Sequence, residues 1–214
     1  MDSHDTRPRS DAAEHLKAVA RLLFAGRGVD GVTVREIAEA AGQKNHAAVG
    51  YHFGSKDALV REIVVDGAIL IDRRRNDWLD RLEREGGPHT VREIVDVLIY
   101  AGVDMASGGG ENGYSRLVVM LGMTHRQFFM DTIAGRWNAG YLRCLDHLRR
   151  LMPDMPAAMK NQRFVFMGAY LGGVLAAREA VLADASREHP SWQSDATLAH
   201  FARTMTALIE VPGA

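Results

Sequence analysis

One cysteine, Cys144, stands among 214 residues, so no intrachain disulfide can form and a reducing compartment is favoured. Long apolar runs are missing as well. The longest stretch without a charged residue is 164–177, 14 residues, against the roughly 20 that span a bilayer; it is expected to be a helix buried in protein. The opening MDSHDTRPRS has none of the apolar core of a secretory signal. The expectation is therefore a cytoplasmic chain with no membrane partner. Charge of one sign is lacking too: 26 Lys and Arg face 27 Asp and Glu, leaving −1, so any affinity for nucleic acid must come from local arrangement. No HExxH, GxSxG, P-loop or GxGxxG occurs, and Cys144 and His147, one helical turn apart, have no further ligand in the sequence. No enzyme, cofactor or metal is expected. Nor is there an alternating strand pattern, which makes the chain all-α.

What is present is an ordinary globular composition, 47% hydrophobic and 25% charged. Residues 1–10 read as an arm. Ordered structure is predicted from Ser10, a helix cap, with Leu16, Val19, Ala20, Leu23 and Phe24 on one face up to Gly26 and Gly28. Thr33-Val34-Arg35-Glu36 is a capping box that opens a short helix carrying Val34, Ile37, Ala38 and Ala41 on its apolar stripe, and Gly42 ends it. Ser55 caps a helix predicted over 57–85, long enough to connect two bodies, which Gly86-Gly87-Pro88 breaks. A second capping box, Thr90 to Glu93, opens a helix to about residue 106. After a Gly-rich loop at 107–110, helices are predicted over 112–130, 131–151, 156–184 and 194–210.

Residues 33–53 thus read as helix, glycine-centred turn, short helix: the helix-turn-helix arrangement, whose second helix enters the DNA major groove. From Ala40 to Lys56 no acidic residue occurs, while Lys44, Lys56, His46 and His52 do, with Gln43 and Asn45 between them. Asn and Gln pair bidentately with adenine, and Lys with guanine or a phosphate. A neutral helical hairpin with solvated polar residues has the same pattern.

The stretch RLLFAGRGVDGVTVREIAEAAGQKNHAAVGYHFGSKDALVREIV, residues 21–64, resembles the N-terminal DNA-binding domain of TetR-family transcriptional regulators. Thr33, Ile37, Ala38, Ala41, Gly42, Tyr51, His52, Phe53, Lys56 and Leu59 carry the resemblance. Two features depart from the family pattern. Ala47-Ala48-Val49-Gly50 lacks the aromatic that usually precedes the Tyr-His-Phe run, and one extra residue follows Gly42. With Gly at 50, the recognition helix is expected to be short or to end there. The resemblance implies phosphate contacts from Thr33, Tyr51, His52 and Lys56, and base-edge candidates Gln43, Lys44, Asn45, His46 and Ala47 at the start of the recognition helix. Phe53 is assigned to the core. Arg7 and Arg9 either reach an adjacent minor groove or belong to a solvated tail.

The family also implies a helical body that dimerises and encloses a small-molecule pocket, and the domain division expected is 11–56 for DNA and 57–214 for ligand and dimer. Nine of ten Met lie after residue 100. Met120, Met123, Phe128, Trp137, Tyr141, Met167 and Tyr170 are the candidate pocket lining, with ordinary core packing as the alternative, and His125 and Arg126 are candidates to orient an anionic ligand. Gly168 and Gly172, four apart, allow a close helix approach. Phe164, Leu171 and Leu175 beside them, with Leu198, Phe201 and Met205 of the last helix, are the candidate dimer interface, a four-helix contact. The function expected is a homodimeric repressor of a palindromic double-stranded operator, released by a small-molecule ligand. Response to a protein partner, or a small-molecule-binding module with a degenerate DNA motif, are the alternatives.

Overall fold

The computed structural model describes residues 10–103 and 113–213. The arm, Arg7 and Arg9 among it, and the loop expected at 107–110 lie outside the described residues. The elements are α1 (Asp11–Arg27), α2 (Val34–Ala40), α3 (Ala48–Phe53), α4 (Lys56–Arg84), α5 (Val91–Val103), α6 (Tyr114–Thr124), α7 (Arg126–Ile133), α8 (Ala139–Leu151), α9 (Ala157–Leu182), α10 (Pro190–Gln193) and α11 (Asp195–Glu210), with no strand among the described residues.

The caps read from the sequence form as local chemistry requires. Ser10 and Ser55 accept from the amides of Ala13 and Ala58. In the first capping box the Thr33 amide donates to Glu36 at 2.8 Å and the Glu36 amide donates to the Thr33 hydroxyl at 3.2 Å. The Thr90–Glu93 box repeats the pattern at 2.8 and 3.3 Å. The Thr33 amide, its hydroxyl and then Arg27 hold the Glu36 carboxyl down at about 2, below its ordinary 4.5.

The periodicity misses two breaks. A single helix over 112–130 is instead α6 and α7, parted at His125 (φ −130, ψ 48). The helix expected from 131 begins only at Ala139, because residues 134–138 form a turn with Ala134, Gly135 and Trp137 at positive φ. The first break brings His125 to Asp30 at 3.0 Å, and sequence periodicity carries no sign of either.

Two apolar clusters organise the chain. One joins Leu16, Phe24 and Ile37 to Val49 and Phe53, to Leu59 and Ile63 of α4, and to Leu117 and Leu121 of α6. The other joins Leu79 of α4, Ile94 and Leu98 of α5, and Leu148 of α8 to Met167 of α9 and to Phe201 and Met205 of α11. The first core is therefore not closed within 11–56: α6 completes it. Where α6 crosses α4, Gly67 admits the Tyr114 ring, whose hydroxyl donates to the Val64 carbonyl at 2.8 Å. A Cβ on Gly67 would lie 2.1 Å from that ring.

Among the described residues α9 is the one helix long and apolar enough to cross a membrane, with mean hydropathy 1.4 over its most apolar stretch. It is not the buried helix expected: only 11% of that stretch is buried, because Phe164, Met167 and Leu171 face the core while Val165 (69% exposed) and Phe166 (59%) point away from it.

Two glycines make opposite predictions. Gly67→Ala forces the Tyr114 ring out and lowers unfolding stability by about 1–3 kcal/mol. Gly50→Ala, where nothing lies within 4 Å of the new methyl, raises it by about 0.5–1 kcal/mol. Urea denaturation of both variants checks the pair. The Glu36 contribution is complete above pH 4.5 and is lost as pH falls from there through about 2. Glu36→Gln flattens that part of the acid limb in a pH series of urea midpoints.

Candidate DNA-binding face and the helical body behind it

The turn between α2 and α3 is built by backbone bonds. Gly42 takes φ +66, its amide donates to the Glu39 carbonyl at 3.0 Å, and the Gln43 amide donates to Ala38 at 2.9 Å: the pattern of a Schellman helix end. Asn45 then accepts the Ala47 amide on its side-chain oxygen at 2.9 Å, so part of this side chain shapes the turn.

α3 has six residues and does not end at Gly50. It runs through that glycine to Phe53 and stops at Gly54, φ +79. Gln43, Lys44, Asn45, His46 and Ala47 consequently lie in the turn before the recognition helix rather than on its first residues. Lys44, Asn45, His46 and Ala47 are exposed there, with Gln43 partly covered. His46 comes within 3.5 Å of Glu39, which also pairs with Arg35. Tyr51 stands 82% exposed at the far end of α3, its ring edge-on to His52 at 4.9 Å, while Phe53 is in the core as expected.

Thr33 is exposed at the start of α2, with its hydroxyl in the capping box. Lys56 has a different setting from the one the resemblance implied. Its ammonium donates to the Val29 and Val32 carbonyls at 3.0 and 3.1 Å, tying the α1–α2 loop to α4.

Contacts between this face and the body involve residues the sequence did not single out. Asp30, in the α1–α2 loop, meets His125 at 3.0 Å; Arg126 is exposed. Arg61 of α4 donates to Thr132 at 3.0 Å and lies 4.2 Å over the Phe128 ring. The Met120 sulfur is 3.2 Å from where a Gly28 Cβ would be. Lys17 bridges α1 to Glu62 and Asp66 of α4 at 3.1 and 2.5 Å. Each joins residues far apart in the chain, for which sequence spacing gives no signal.

The candidate pocket lining comes together only in part: Met167, Tyr141 and Tyr170 share the second core, and Phe128 and Met123 lie away from it. Phe128 packs against the first core and Met123 is 81% exposed. Met167 is wholly buried in the second core, with Tyr141 and Tyr170 packed against it. Tyr170 is engaged by Thr204 at 2.8 Å and by the Phe201 ring at 5.2 Å, and Trp137 sits in the turn before α8 at φ 60. A groove of about 490 Å³ does open elsewhere, along α4, lined by Arg74, Trp78, Arg81 and Arg84 with Asp77 and Asp80.

Most of the candidate dimer residues are likewise internal. Phe164, Leu171, Leu198, Phe201 and Met205 are buried within the chain. Gly172 packs near Val119, Gly168 near the Tyr141 hydroxyl, and Leu175 near Gly102. Alternation around a helix identifies an apolar strip without saying which body it meets. Cys144 is buried, and burial pushes its thiol up to about 12, which leaves it unreactive. Its neighbour His147 binds Glu83 at 2.8 Å and accepts from Arg150 at 2.7 Å.

Comparison with known proteins agrees with this architecture. Residues 16–63 match the family described as bacterial regulatory proteins, tetR family, and residues 96–207 match the tetracyclin repressor-like C-terminal domain. The HTH-type transcriptional repressor KstR2 of Rhodococcus jostii (strain RHA1) is 42% identical over 60 residues, 28% of this chain and 29% of that protein. The match thus spans under a third of that relative's length. A putative tetR family transcription regulator from Shewanella sp. PV-4 superposes with TM-score 0.59 at 14% identity, over 94% of this chain and 96% of that one. The superantigen PfiT superposes with TM-score 0.56 at 20% identity, over 95% and 98%. At such identities the two structures share the fold alone. With an N-terminal helix-turn-helix match and a C-terminal match that by itself spans more than half of the residues, the chain belongs to the TetR family of bacterial transcriptional regulators.

Proposed function

We propose that this protein is a homodimeric repressor that reads a palindromic operator through the α2–α3 turn and releases it when a small molecule binds the helical body. One observation carries the DNA reading: the acid-free stretch from Gly42 to Tyr51 combines exposed Lys44, Asn45, His46 and Tyr51 with a turn fastened by its own backbone. Lys44, Asn45 and Gln43 have the donors and acceptors for base edges, and Tyr51, His52 and Thr33 those for flanking phosphates. Lys56 acts here by holding the α1–α2 loop. The continuity of α3 through Gly50 supports this reading over a degenerate motif.

The dimer reading rests on the open side of α9. Val165, Phe166, Ala169, Gly173 and Ala177 are exposed along it, and an apolar strip of this kind is buried at low cost by a two-fold copy of itself. α11 contributes its exposed residues, Arg203 and Ala207 among them, rather than Leu198, Phe201 or Met205. Release follows if the ligand favours a body conformation in which the contacts at Gly28, Asp30 and Arg61 shift the two reading faces out of register.

Selection of genomic DNA fragments by the purified protein at increasing salt tests the DNA reading. One palindromic element with a steep salt slope is expected; unrelated fragments alone would overturn it. On that element Lys44→Ala weakens binding and lowers the magnitude of the log–log salt slope by about one if it contacts a phosphate. If Lys44 reads a base, the slope stays and discrimination at that position relaxes. Phe166→Glu yields monomers in sedimentation velocity and abolishes tight operator binding, whereas persistence of the dimer would move the interface elsewhere.

A further inference from the structure

α6 begins without a cap of its own. Ser10, Thr33 and Ser55 each cap the helix that follows them, but the residue before α6 is Gly113, which has no side chain to offer. Packing against α1 is the reason. Gly113 takes φ +66, and a Cβ on it would lie 2.9 Å from the Ala25 Cβ. That leaves no room for the serine or aspartate that commonly satisfies the first amides of a helix. The cap comes from α9 instead. Glu179 accepts the Ser115 amide at 3.1 Å on one carboxylate oxygen and the Arg116 amide at 3.0 Å on the other.

Residues 113–116 are consequently held from three sides. Gly113 lies against α1 of the helix-turn-helix. Tyr114 is seated on Gly67 of α4, with its hydroxyl on the Val64 carbonyl. Ser115 and Arg116 are bonded to α9, and the Glu179 charge also acts on the Arg21 guanidinium of α1. Apolar contacts between α6 and α9, such as Val119 against Gly172, resist separation without fixing a direction. The two bonds to Glu179 are directional and charge-assisted, and the carboxylate meets the positive end of the α6 dipole. They fix where α6 starts relative to α9.

We propose that Glu179 is a positioning residue for operator choice: by capping α6 from α9 it sets how the helix-turn-helix stands on the dimer, and with it the half-site spacing that the dimer accepts. The proposal rests on the reading above that two copies pair through the open side of α9 on a palindromic operator. In that arrangement Val165, Phe166, Ala169 and Ala177 stand at the two-fold contact, and Glu179 lies two residues beyond Ala177 on the same helix. From there the connection to the reading turn passes through the start of α6 to Gly113 and α1. Half-site spacing is a property of dimer geometry, separate from the bases that each recognition element contacts. Glu179 acts on the first and has no part in the second.

The test uses the full chain and the operator recovered by genomic selection, with its half-sites moved apart or together by one and two base pairs. A DNA carrying a single half-site is measured beside them. The wild type binds one spacing more tightly than the others. Glu179→Ala removes both acceptors and lowers that preference by about tenfold, the worth of a charge-assisted hydrogen bond. Its affinity for the single half-site is unchanged, and it remains a dimer in sedimentation velocity. Glu179→Gln keeps one acceptor oxygen, loses less of the preference, and carries the test if the alanine variant does not fold. An unchanged spacing preference in a folded variant overturns the proposal. So does an equal loss on every DNA, the single half-site included, which marks general destabilisation. A monomeric variant overturns it by placing Glu179 in the interface itself. A wild type with no preferred spacing counts against the dimer reading and this proposal together.

Discussion

α4 runs through both apolar clusters, and the rest of the structure is arranged around that constraint. Its first turns place Leu59, Val60, Ile63 and Val64 under α1 and α3, and Leu79 enters the other core more than two turns beyond Gly67. A helix of 29 residues is stiff on the scale of a side-chain rearrangement. The helix-turn-helix and the body behind it are thereby held on one rod.

α6 supplies the second connection. Leu117 and Leu121 close the core beneath α1, Tyr114 is seated on Gly67, and the end of α6 delivers His125 to Asp30. The contact of α6 with α9, where Gly172 approaches Val119, ties this lever to the strip that is proposed to meet the second subunit. α9, α6 and the α1–α2 loop are therefore joined in series through packed side chains. Linkage of this kind turns into regulation only when a ligand binds two arrangements with different affinity.

The departures from the expected site have one origin. Phe164 and Leu171 of α9, with Phe201 and Met205 of α11, have the pattern of a partner-facing contact, yet they are buried in the core shared with α5 inside the chain, and the open side of α9 carries Val165 and Phe166 instead. Met120 and Met167 are candidates for one pocket lining, yet Met120 lies near Gly28 while Met167 is wholly buried in the second core. Periodicity reports that a helix has an apolar side; it carries no information about which of two neighbours that side meets. Lys56 is a related case: the motif position is right, but its ammonium finds two carbonyls that only the folded loop brings within reach.

The sequence by itself determined what depends on near neighbours: the two capping boxes, the glycine end of α2, the extent of α4, the all-helical class and the helix-turn-helix. These rest on interactions within about four residues, so the order of residues specifies them. Tertiary structure alone decided the break at His125, the side of α9 left open and the tie of Lys56 to the α1–α2 loop. Each depends on contacts between segments well separated in the chain, such as Asp30 with His125 or Gly172 with Val119, and no local pattern encodes which distant surface a side chain will meet.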